Sequence, residues 1–121
     1  MTQTLALRPF VPAKDFELSQ RFYQALGFRL THAEESIAML KLEGFSFILQ
    51  NHYTQEFAEN FMLQLLVRDV DAWWQDVQPE RLVEQFDIKP PRAPKMQEWG
   101  MKVGFIFDPS GVLWHVAEAP F

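Results

Sequence analysis

In the stretch FDPSGVLWHVAE, residues 107 to 118, an Asp-Pro-Ser-Gly turn leads into alternating apolar side chains that carry a single histidine, His115. An imidazole titrates near neutrality and has two distinct ring nitrogens, so it suits general-base work, metal ligation or a hydrogen bond to a ligand. No orienting acid is visible beside it, and a lone histidine of this kind also fills the simpler role of a hydrogen-bonded cavity residue. Arg8 offers a planar fork for a ligand carboxylate or phosphate, or else for an internal salt bridge. Ser46, Gln50 and Gln64 place hydrogen-bonding groups inside otherwise apolar stretches, and Trp99 offers a flat ring for stacking. His32 and His52 stand in polar, turn-like contexts and are read as solvated. The chain shows no Gly-rich phosphate loop, Ser-His-Asp order or acidic metal motif. Its lack of cysteine excludes disulfides, thiolate catalysis and thiolate zinc sites.

Strands and helices must position these groups. LALRPFV (5–11) reads as a strand, and DFELSQRFYQALGF (15–28) as a helix capped by Asp15, with Leu18, Phe22 and Leu26 on one face and Gly27 as its stop. FRLTHA, SIAMLKLE and FSFILQ follow as three short strands. The order then recurs: FMLQLLV (61–67) is a strand, DVDAWWQDV (69–77) a helix, and MKVGFIF with GVLWHVA a closing hairpin. Recurrence of a unit of this length predicts two similar modules, about 1–54 and 60–121, in one domain spanning 1–121. Residues 79–100, with four prolines, are read as irregular, with one short strand expected in LVEQF.

Side chains alternate across a strand, which divides each strand into two faces. Leu7 and Val11, Phe45, Phe47 and Leu49, Phe61, Leu63, Leu65 and Val67, and Trp114 and Val116 form the apolar set that must pack against helices. The opposite set mixes apolar groups with Arg8, Ser46, Gln50, Gln64 and His115, the composition of a ligand cleft. Trp73, Trp74 and Trp114 are assigned to core or interface, and Glu118 to the exposed end of the last strand.

With 121 residues, 48% of them apolar, the chain suffices for one domain with a real core. Eleven basic against sixteen acidic residues give a net charge of −5 with no concentrated basic segment, which argues against a nucleic-acid partner. No basic stretch leads into an apolar core at the start and no apolar run approaches a membrane span, so a soluble, cytoplasmic protein is expected.

FYQALGF in the first helix, RDVDAW opening the second, and WG…FDPSG…H near the end together resemble the vicinal oxygen chelate superfamily, which includes glyoxalase I, extradiol dioxygenases, fosfomycin-resistance enzymes and bleomycin-resistance proteins. The resemblance covers nearly the whole chain. It implies an α+β fold of two βαβββ modules whose curled mixed sheets surround a cleft, completed by a homodimer. Twelve Phe and four Trp, more than so small a core needs, fit a partner-covered surface. Enzymes of the superfamily hold a divalent metal with four side chains from the first and fourth strands of each module. Carried onto this chain, those positions are Arg8, Ile48, Met62 and His115, of which only His115 can coordinate; a register two residues different would bring in Gln50 or Gln64, both weak ligands.

That ligand set resembles the bleomycin-resistance branch, whose members bind and sequester an antibiotic without metal or turnover. The expectation is a cofactor-free small-molecule binder whose cleft is lined by Arg8, Phe10, Ser46, Ile48, Gln50, Met62, Gln64, Trp99, Lys102 and His115, with His115 the one candidate catalytic residue. A metal-dependent glyoxalase- or dioxygenase-like enzyme and a degenerate module kept for protein interaction remain as alternatives.

Overall fold

A computed structural model of the chain describes residues 2–121. Its first half forms β1 (Phe10–Pro12), α1 (Phe16–Ala25), β2 (Arg29–Ala33), β3 (Ile37–Leu42) and β4 (Phe45–Gln50), followed by a short helix, α2 (Gln55–Asn60). Its second half forms β5 (Met62–Val67), α3 (Val70–Val77), α4 (Leu82–Phe86), β6 (Arg92–Met96), β7 (Lys102–Phe107) and β8 (Leu113–Glu118). The first sheet has the order β1-β4-β3-β2 and the second β5-β8-β7-β6. In each, a parallel pair at one edge (β1 with β4, β5 with β8) adjoins antiparallel pairs. The two sheets are open, and the fold is α+β as the sequence predicts.

Both long helices begin where the sequence places their caps. Asp15 Oδ1 accepts the Leu18 N–H and Asp69 Oδ1 accepts the Ala72 N–H, satisfying donors that a first helical turn leaves free. α1 buries Phe22 and Leu26, and Gly27 follows at φ 109°, a conformation in which a side chain would be strained.

Several expectations are corrected. The strand read over 5–11 is ordered as a strand only over Phe10–Pro12. Pro9 has no N–H to donate, and Leu5 and Leu7 are 89% and 95% exposed, so no burial holds the preceding segment in the ladder. Leu7 and Phe45, assigned to the core set, are exposed. LVEQF is helical rather than a strand, because one turn puts Leu82 and Phe86 on the same side, where both are buried. The strand of the 79–100 region is β6, which tolerates Pro94 at the open edge of its sheet. Glu118 is half-buried, with Oε1 accepting the Val70 N–H at the start of α3.

The core lies where the inner faces of the two sheets meet α1. Tyr23, fully buried, packs its ring 4.8 Å from Phe47 of the first sheet and 5.6 Å from Trp114 of the second. Its hydroxyl donates to Asp108 Oδ2 at 2.6 Å and accepts from Trp114 Nε1 at 2.9 Å. Asp108 Oδ1 accepts the Ser110 and Val112 N–H groups at 2.8 and 2.9 Å, which folds the β7–β8 turn around the carboxyl. Ser110 Oγ accepts the Lys14 N–H from the first half of the chain. Burial raises the Asp108 pKa from 3.8 to about 6 against the lowering effect of these donors, and burial with the adjacent carboxylate holds the Tyr23 phenol well above its ordinary value.

α3 rests on the second sheet through Trp74, whose indole N–H donates to Glu80 Oε2 at 2.7 Å. Beneath the ring lies Gly104 of β7. A Cβ there would stand 2.9 Å from Trp74 Cη2 and closer still to Cζ3. Gly104→Ala is therefore expected to destabilise the protein by about 1–3 kcal/mol through overpacking. Gly44→Ala, with no atom within 4 Å of the added carbon, should have a small effect by comparison; urea unfolding of both variants measures the difference.

Asp108 makes a second prediction. Between pH 3.8 and about 6 the folded protein holds a proton on this carboxyl that the unfolded chain releases. Its contribution to stability is thus full below the unfolded value and is lost as pH rises through about 6. The destabilisation caused by Asp108→Asn, which cannot titrate, should accordingly shrink between about pH 4 and about pH 7, by an amount on the order of 2–3 kcal/mol. Parallel urea titrations of the two proteins at several pH values give that difference directly.

Candidate functional site

The faces turned away from the core carry the polar side chains. On the first sheet, Phe10 of β1 is the lateral partner of Ile48 of β4, which is in turn the partner of Met39 of β3. Arg8, just before β1, donates from Nε to Ser46 Oγ at 2.8 Å, and Gln50 closes the row at the other end opposite Ile37. Because Leu40, Phe47 and Leu49 point inward and are buried, alternation directs Ser46, Ile48 and Gln50 outward.

On the second sheet, Gln64 of β5, His115 of β8, Phe105 of β7 and Arg92 of β6 form one lateral row. The His115 ring meets Phe105 edge to face, with centroids 4.9 Å apart and planes at 77°. Met62 lies further along the same strand, opposite Leu113. Among the described residues no carboxylate contacts the imidazole, so its neighbours are an amide and an aromatic ring. Phe105, Arg92 and Met39 carry no signal in the sequence that marks them for the site; the ladder register is what brings them to these rows.

Two candidates stand apart. Trp99 is at the turn between β6 and β7, 60% exposed. Lys102 shares the helix-facing side of β7 with Gly104, and its ammonium group is hydrogen-bonded to Asp71 at the start of α3, which raises its pKa. The remaining eight divide between two faces: Arg8, Phe10, Ser46, Ile48 and Gln50 on the first sheet, and Met62, Gln64 and His115 on the second. The inner faces meet at Phe47 and Trp114, with ring centroids 5.7 Å apart, so the outer faces turn away from each other. One cavity, of about 450 Å³, lies at the seam and brings Ser46 and Gln64 together between Phe45, Leu42, Leu63 and Leu66. A wider depression of about 810 Å³ beside Asp15, Glu17, Glu34 and Glu35 contains none of the ten.

A divalent-metal centre needs several His, Asp or Glu donors converging on one point. Among the described residues no three such side chains do so. Beside His115 the register supplies Gln64, a weak donor, and the Ile48 position of the other sheet is flanked by Phe10 and Met39. This donor set does not fit such a centre. No helix among the described residues is long and apolar enough to cross a membrane.

The family model described as Glyoxalase/Bleomycin resistance protein/Dioxygenase superfamily matches residues 5–116. Among solved structures, the chain is similar to a bleomycin-binding protein from bleomycin-producing Streptomyces verticillus complexed with copper(II)-bleomycin, at 18% identity and a TM-score of 0.79 over 98% of this chain and 99% of that one. It is similar to a bleomycin resistance determinant encoded on transposon Tn5, at 21% identity and a TM-score of 0.76 over 98% and 100%. A lactoylglutathione lyase from Agrobacterium tumefaciens also shares the fold, at 16% identity and a TM-score of 0.67 over 97% and 96%. No curated protein matches the chain.

Proposed function

The chain belongs to the glyoxalase/bleomycin resistance/dioxygenase superfamily, and from that premise we propose that it is a small-molecule-binding protein of the bleomycin-resistance kind, working without metal or turnover. The observation that carries this reading is the setting of His115. Its lateral neighbours are Gln64 and Phe105, which can hold a ligand by hydrogen bonding and contact but bring no carboxylate to complete a metal centre or to strengthen a general base. The outer faces otherwise present Phe10, Ile48, Met39, Met62 and Leu66, adaptable apolar surface suited to sequestration. The bleomycin-binding structures that share the fold support binding as the activity.

In this reading the cleft needs two copies of the chain. A two-fold pair would set the first sheet's outer face against the partner copy's second sheet, uniting Arg8, Ile48 and Gln50 with Gln64 and His115 and leaving the same interface twice. Exposed Leu5, Leu7, Phe45, Met62 and Leu66 and the unpaired edge of β5 supply surface that such a pairing covers.

Elemental analysis of protein purified without chelator should find no stoichiometric zinc, nickel, iron or manganese. A stoichiometric metal that is lost in His115→Ala would replace the binder reading with the enzymatic one. Light scattering at micromolar concentration should give twice the 14.2 kDa chain mass; a monomer would remove the shared cleft.

A further inference from the structure

We propose that the outer face of the first sheet selects a small amphipathic anion, with a carboxylate, sulfonate or phosphate over a row of cations and an apolar body on the row beside it. This rests on the reading of that face as one wall of the ligand cleft.

The cation row is assembled by strand register. Lys41 of β3 is the lateral partner of Arg29 on β2 and of Ser46 on β4, and Ser46 Oγ accepts the Arg8 Nε hydrogen bond. The partners Leu30–Leu40 and Leu40–Phe47, one residue along, turn toward the core, so Arg29, Lys41 and Ser46 share the outward face. Like charges directly opposite on neighbouring strands are destabilising, and Arg29–Lys41 is such a pair. No ion pair offsets it: the ion pairs among the described residues are His32–Glu34 and Lys102–Asp71, and neither involves Arg8, Arg29 or Lys41. In a chain with a net charge of −5, three of the eleven basic residues thus gather unpaired on one row. A local rule broken without internal compensation is a mark of a functional site, and an anion supplies the missing charge.

The geometry also sets the form of the ligand. Strands lie about 4.8 Å apart, so an anionic group centred over Ser46 and Lys41 has Arg8 on one flank and Arg29 on the other. With Nε committed to Ser46, the Arg8 guanidinium keeps its two terminal amino groups for the ligand, and the serine fixes the fork's position. Two residues along each strand, roughly 7 Å away, Phe10, Ile48 and Met39 form a continuous apolar row. A two-ring aromatic acid spans both rows. A cationic ligand on the same apolar row would face three like charges.

The test is calorimetric titration with 2-naphthoate, its neutral analogue 2-naphthamide and its cationic analogue 2-naphthylmethylammonium. Wild type should bind the naphthoate at least about tenfold more tightly than the amide, a difference of about 1.4 kcal/mol, and the preference should fall with added salt. In the exposed double variant Arg29→Gln/Lys41→Gln, and separately in Arg8→Gln, naphthoate binding should weaken more than amide binding, so that the preference is reduced. Equal binding of acid and amide, a preference that survives in the double variant, or a preference for the cation overturns the inference. Amide binding in those cases leaves the small-molecule reading standing. Absence of binding by all three probes overturns the inference as well, and the broader reading then falls only if the metal assay also contradicts it.

Discussion

The two sheets share no strand pairing, so their relative placement depends on side chains, and above all on the hydrogen-bonded trio of Tyr23, Asp108 and Trp114. Tyr23 comes from the helix of the first half, Asp108 from the β7–β8 turn and Trp114 from β8. Burying a carboxyl is costly, and here the cost is offset by two backbone donors and a phenol in fixed positions. Such a network specifies geometry in a way that apolar contact alone does not: a sliding of one sheet over the other would take the Tyr23 phenol from the buried Asp108 Oδ2 and leave that oxygen without its partner. Phe28 and Phe47 pack around the trio edge to face, extending the directional contact to both sheets.

The direction of the outer faces follows from that hub. Because β4 and β8 present Phe47 and Trp114 to the same cluster, their other faces are directed to opposite sides of the molecule. A single chain therefore offers two separate walls, joined at the seam cavity that touches Ser46 and Gln64. The first wall carries a cation row beside an apolar row, and the second a histidine between an amide and an aromatic ring. The two walls are chemically unlike, which a pair of copies would convert into a cleft with distinct sides.

Much of this scaffold is legible in the sequence, because its signals are local. Asp15 and Asp69 announce their helices, and simple alternation along β4 and β8 separates Phe47, Leu49, Trp114 and Val116 from Ser46, Gln50 and His115. The misreadings occur where tertiary burial overrides local pattern. α4 is one helical turn, too short to form without the burial of Leu82 and Phe86, and β6 is a proline-containing strand that only a sheet edge accommodates. α2 is only six residues long, and its N-cap Thr54 makes no side-chain cap bond, so its start is weakly marked. The placement of Lys102 does have one: a glycine two residues away in the same strand marks a close approach, and at Gly104 the approach is by Trp74 of α3. The rows themselves are beyond single-sequence reading. Arg8, Arg29, Lys41 and Ser46 are scattered through the first half of the chain, and only ladder register makes them neighbours.

The division between faces also explains how one scaffold can carry a metal centre in some superfamily members and a cation row here. Side chains on the inner faces touch the helices and the opposing sheet, so a change at Tyr23, Phe47 or Gly104 disturbs packing that fixes the whole arrangement. Arg8, Arg29 and Lys41 are exposed, and their replacement leaves no buried cavity and no orphaned buried group. Substitution on the outer face is thus nearly free of the constraint that holds the fold, and the chemistry presented there can diverge while the hub is kept. The like-charge pairing of Arg29 and Lys41 is the exception that gives the face its meaning. Stability alone would favour an opposite charge at either position, so the presence of two cations there places the demand on something outside the chain.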